Sequence, residues 1–70
     1  MKRAEAFGKA LKAERERREM SQRDFAELLN ISHSALGYIE TGQRYPRLDT
    51  MMLILEKVGW EMRIVRNEGE

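Results

Sequence analysis

The 70-residue sequence predicts a compact all-α domain of four short helices, closed by one C-terminal β-strand that pairs across a dimer. Two patterns carry the helices. Apolar residues recur at i, i+3, i+4 spacing in four separate segments, and those segments are punctuated by residues suited to helix ends: Ser21, Ser32, Asn30, Gly42 and Gly59. A third pattern carries the strand. The segment "WEMRIVR", residues 60–66, alternates apolar and charged residues and is rich in aromatic and β-branched types. The expected layout is a helical domain over residues 1–59, a strand over 60–66 and a frayed end over 67–70.

The first helix is expected over residues 3–18, with Ala4, Phe7, Ala10 and Leu11 as its apolar stripe and Arg15 continuing that stripe one turn later. The charged run Glu14–Glu19 reads as a solvated helix end. Ser21 then offers an N-cap with Asp24 three residues on, ahead of the apolar set Phe25, Ala26, Leu28 and Leu29. Asn30 stands where the chain must turn, and asparagine tolerates a left-handed conformation there. Ser32 caps a third helix that Gly42 terminates. A fourth runs from about Leu48 to Val58, with Leu48, Met51, Ile54, Leu55 and Val58 as its buried face and Leu53 at the edge.

On a helical wheel at about 100° per residue, Ala35, Leu36 and Ile39 form the core face of the third helix. Opposite them lie Ser34, Tyr38 and Thr41, flanked by His33 and Gly37. A surface helix that serves only the fold usually carries Lys and Glu. This face has neither, and its short or flat hydrogen-bonding groups suit base edges and phosphates. Glu40 borders the core, where a carboxylate needs a partner. Arg15 is the expected partner, since its planar fork can grip a carboxylate at two points and clamp the first helix to the third.

Composition removes several function classes. The chain has no cysteine and one histidine, which excludes disulfides, thiolate metal sites and thiol catalysis; no metal and no cofactor are expected. His33 has no acid within its motif to orient it, so an enzyme is not expected. No apolar run approaches the roughly 18 residues of a membrane helix, and the N-terminal segment lacks the apolar stretch of a signal peptide; the expectation is a cytoplasmic protein without a membrane partner. The net charge is +1, but ten of the Lys and Arg residues lie within residues 1–47 against seven Asp and Glu, leaving three against five in residues 48–70. The first two thirds can face a polyanion and the last third is poorly suited to it.

Five motif elements in register, spanning residues 7 to about 60, resemble the helix-turn-helix family of phage Cro and CI-type repressors, the Xre family. They are the S-Q start at Ser21, the F-A pair at Phe25, the N-I-S turn at Asn30, the I-E-x-G close at Ile39 and the P-x-L opening at Pro46. The resemblance implies a lambda-repressor-like fold and a sequence-specific double-stranded DNA-binding transcriptional regulator, a repressor acting as a homodimer on a pseudo-palindromic operator. It places recognition helix 32–40 in the major groove. It further implies base contacts by Ser32, His33, Ser34 and Tyr38, and phosphate contacts by Gln22, Arg23, Gln43 and Arg44. The sequence departs from the family pattern in three ways. Asn30 replaces a common glycine, Gly37 sits inside the recognition helix, and the outward face lacks Lys, Arg, Gln and Asn, the commonest bidentate base readers.

Trp60, Met62 and Ile64 are expected to serve dimerisation, with two tails pairing antiparallel. A helical domain ending in such a strand is similar to HipB-like antitoxins. That similarity implies an alternative: an antitoxin or phage adaptor whose main role is to bind a protein partner, a toxin among them, with autoregulatory DNA binding.

Overall fold

The computed structural model describes residues 3–63 and 66 and shows four helices: α1 (Arg3–Arg17), α2 (Gln22–Leu29), α3 (His33–Glu40) and α4 (Leu48–Val58). α3 packs on both α1 and α2, and α4 packs on α2. Between them Leu11, Phe25, Leu29, Leu36 and Ile54 are fully buried, with Ala26, Ile39 and Val58 completing the core. Phe7, Met20, Leu28, Ile31 and Trp60 pack around it as a half-buried belt.

All four helices end in the same way, with a left-handed residue whose successor donates back to the last turn. Met20 N–H donates to Arg15 O, Ile31 to Ala26 O, Gln43 to Tyr38 O and Trp60 to Leu55 O, at 2.8–3.2 Å. The left-handed residues are Glu19, Asn30, Gly42 and Gly59. At the other ends, Ser21 Oγ accepts from Asp24 N–H and Ser32 Oγ from Ala35 N–H, each at 3.0 Å. The two short helices therefore meet through the turn that the capping residues predict.

Several expectations are corrected. Ala10 is exposed, and its place on the inner stripe is taken by buried Gly8. A Cβ on Gly8 would lie 2.2 Å from Ile39 O and 3.0 Å from Glu40 O, so α1 rides directly on the backbone of the last turn of α3. Leu48 is 70% exposed, because as the first residue of α4 it projects past the core that Met51, Ile54 and Val58 enter.

Within the charged run, Glu14 is buried instead of solvated. Its carboxylate accepts from Arg18 Nε at 2.7 Å and from Arg17. The hydrogen bond from Arg18 holds this carboxyl below its usual range, with burial opposing and Arg17 adding to the effect. The folded chain thus takes up a proton here less readily than the unfolded one. This contribution to stability is present at neutral pH and is lost as pH falls through the lowered pKa.

The predicted strand does not form over residues 60–63, and no strand occurs among the described residues. The alternation at 60–63 has a different origin. Trp60 N–H is used to close α4, and the indole ring folds back edge-on to Phe7 at 6.2 Å, so the first apolar residue of the pattern belongs to the helix end. Ile64 and Val65 lie outside the described residues.

Candidate nucleic-acid interface

The core fixes α3 from behind. Leu36 and Ile39 are buried, Ala35 is half-buried, and the Glu40 side chain is only 2% exposed. Arg15 grips Glu40 at two points, with Nε donating to Oε2 at 2.8 Å and Nη2 to Oε1 at 3.1 Å, while its Nη1 donates to Met20 O at 3.0 Å. The hydrogen bonds it donates to the Glu40 carboxylate raise the guanidinium pKa further above its already high value, against the pull of burial. The clamp between α1 and α3 is as the wheel requires.

Gln22 extends this network in a way the sequence does not disclose. Its Nε2 donates to Glu40 Oε1 at 3.0 Å, which turns its Oε1 toward His33 Nε2 at 3.3 Å. A carboxylate only accepts, so the amide must present its NH₂ to Glu40 and its oxygen to the imidazole. With the amide so oriented, His33 Nε2 is the donor in this contact. A four-residue chain, Arg15–Glu40–Gln22–His33, runs from the core to the start of α3. Gln22 thus supports α3, in addition to its position at the N-terminus of α2, where a phosphate would be favoured.

The outward side of α3 presents His33, Ser34, Tyr38 and Thr41, all exposed. Ser32 Oγ accepts in the cap but keeps its proton for donation. Arg44 lies over the Tyr38 ring, 4.5 Å from its centroid, a contact worth about 0.5–1 kcal/mol at an exposed site. Its charge is therefore held beside the outward side of α3. Gln43 Nε2 donates to Thr41 Oγ1 at 3.0 Å, and Thr41 in turn donates to Gly37 O at 2.9 Å. Arg23 is exposed in the first turn of α2. Of the expected base and phosphate residues, the structure brings Gln22 against His33 and Arg44 against Tyr38. Arg47 joins them unforeseen: with Arg44, Tyr45 and Pro46 it lines a notch of about 290 Å³ beside α3. Its signal was a second arginine three residues after Arg44 in the same loop.

Gly37 has no packing role, since a Cβ there would meet nothing within 4 Å. Gly37→Ala is expected to stabilise the fold by about 0.5–1 kcal/mol through helix propensity. A melting temperature unchanged or lowered would show that the glycine serves the fold after all.

Among the described residues no group of three His, Cys, Asp or Glu could hold a metal, and no helix is long and apolar enough to cross a membrane. A helix-turn-helix family model matches residues 11–59. Comparison with curated proteins and with solved structures gave no match.

Proposed function

We propose a specific role for this chain, which belongs to the Cro/CI-type (Xre) helix-turn-helix family of DNA-binding regulators: it reads a particular double-stranded operator and represses the gene beside it. The observation that carries this reading is the division of α3. One side is locked by buried contacts and a two-point ion pair, and the other is an exposed, uncharged hydrogen-bonding face with Arg44 fixed at its edge. In this reading α3 enters the major groove, His33, Ser34 and Tyr38 meet base edges with Ser32 at the helix start, and Arg23, Gln43, Arg44 and Arg47 approach phosphates. Repression needs no further surface, because a protein seated in the groove excludes a competitor from the same site. Two copies on a pseudo-palindrome are part of the proposal: a two-turn recognition helix spans only a few base pairs, and doubling the contacts supplies the missing discrimination.

Gel-shift and salt titration against DNA from the region upstream of its own gene test the reading, and absence of binding to any duplex at low salt would sink it. Arg44→Ala should weaken binding to all duplexes and flatten the slope of log affinity against log salt by about one unit. Arg44→Lys should keep most of that slope while losing the flat stack on Tyr38. Ser34→Ala should change the ranking among operator variants more than the salt slope. Comparing half-sites with full sites checks the proposed pairing, which predicts two-copy complexes only on the latter.

A second reading, binding of a protein partner as an antitoxin or adaptor does, is favoured by one observation: the aliphatic and thioether side chains of Leu48, Met52 and Met62 are exposed on α4 and just after it.

A further inference from the structure

One face of the molecule is unsuited to DNA and unexplained by the core. α4 and residues 60–62 enclose a shallow groove of about 560 Å³. Its apolar part is Met52, Leu53, Leu55, Trp60 and Met62, of which Met52 is 54% and Met62 47% exposed. Its remaining lining among the described residues is Asp49, Glu56 and Glu61, with no Lys or Arg. Arg47 approaches Asp49 at 3.8 Å, but both side chains are well exposed, so this pair neutralises little.

The charge selects among occupants. A nucleic-acid backbone would be repelled by three carboxylates. A second copy docked through the same face would be related by a twofold axis, which sets a patch against itself; three acids would confront three acids, a juxtaposition that disfavours the pairing. A segment with an apolar stripe flanked by Lys or Arg fits both features, its stripe on the methionines and its cations on the rim. Two thioethers in the lining suit such a partner, because unbranched methionine adapts to the shape it meets.

We propose that α4 and residues 60–62 form a docking groove for a short amphipathic segment of another protein, apolar on one side and basic at its flanks. This deepens the partner-binding reading and is independent of DNA: the groove can fail while α3 still binds an operator, and the reverse.

The test uses the full chain and a synthetic peptide of about 14 residues, roughly four helical turns, built from Leu, Lys and Ala with Leu on one face. Two control peptides are a scramble of the same composition and an analogue with Glu in place of Lys. Trp60 is the sole tryptophan and lines the groove, so its fluorescence reports occupancy directly, while amide shifts locate the peptide. The amphipathic basic peptide should bind at least about tenfold more tightly than either control, moving the signals of Met52, Trp60 and Met62 and leaving Ser34 and Tyr38 unmoved. Glu56→Lys combined with Glu61→Lys, both exposed positions, should reverse the preference between the Lys and Glu peptides. Met52→Glu, also exposed, should weaken the amphipathic peptide.

Equal binding of the scramble, or shifts centred on α3, would overturn the proposal. So would sedimentation showing the chain to be a dimer that Met52→Glu dissolves, which would assign the groove to a second copy.

Discussion

Gly8→Ala is expected to destabilise the fold by about 3 kcal/mol, lowering the melting temperature of a domain this size by roughly 15 °C. In an isolated helix the same change would help by about 1 kcal/mol, since alanine is the better helix former. The structure reverses the sign. The new methyl carbon would stand 2.2 Å from Ile39 O and 3.0 Å from Glu40 O, and these are backbone atoms in the turn that also carries the buried Glu40. They cannot swing aside as the end of a long side chain would. α1 must lift off α3, and the separation strains the Arg15–Glu40 clamp and opens the core at Leu11 and Ile39. Thermal unfolding followed by circular dichroism measures the outcome. If Gly8→Ala melts at or above the wild-type temperature, the close approach of α1 to α3 is not what holds the two helices.

Arg15→Ala should cost about 3–5 kcal/mol, the penalty for stranding a buried carboxylate. Glu40 has a side chain only 2% exposed and among the described residues would retain the Gln22 amide as its hydrogen-bond donor; Met20 O would lose the Arg15 guanidinium as well. Arg15→Lys should fall between, because an ammonium supplies the charge without the fork that reaches both carboxylate oxygens and Met20 O together. Removing both ends, as in Arg15→Met with Glu40→Leu, should recover most of the loss, since two desolvated charges are replaced by apolar groups of similar length. Chemical denaturation of the wild type, Arg15→Met, Glu40→Leu and the double variant closes a double-mutant cycle. Additive losses from the two single changes would mean that Arg15 and Glu40 do not act as a pair.

What could be read in advance depended on whether the cause was local. The caps at Ser21 and Ser32, the left-handed Asn30 and the stop at Gly42 follow from chemistry within a few residues of each position. The inward Glu40 and its partner Arg15 followed from helical periodicity, which two residues share even at a distance of 25 in sequence. Gly8 was missed because its role depends on a backbone that arrives from another helix; a glycine on the stripe between Phe7 and Leu11 was the available hint. The inward turn of Gln22 was hidden for a similar reason, since it is decided by where Glu40 lies in space. Residues 60–63 misled in another way. Alternation is a necessary mark of a half-buried strand, but a strand also needs a backbone partner, and Trp60 instead completes the end of α4. On the interface, the residue types of α3 were legible from the wheel, whereas the stack of Arg44 on Tyr38 required the loop to fold back across the helix.

The split character of α3 has a consequence for altering the protein. Ser34 and Tyr38 are exposed and a Cβ on Gly37 would meet nothing within 4 Å, while Leu36, Ile39 and Glu40 are committed to the core. A library randomised at the first three positions should therefore yield mostly folded members, which on the proposed function differ in the duplex they select. His33 is a hybrid letter, because its contact with Gln22 links it to Glu40 and so to α1. Retargeting through His33 would have to vary Gln22 with it, which makes the two residues the smallest unit in which this reading head can be rewritten.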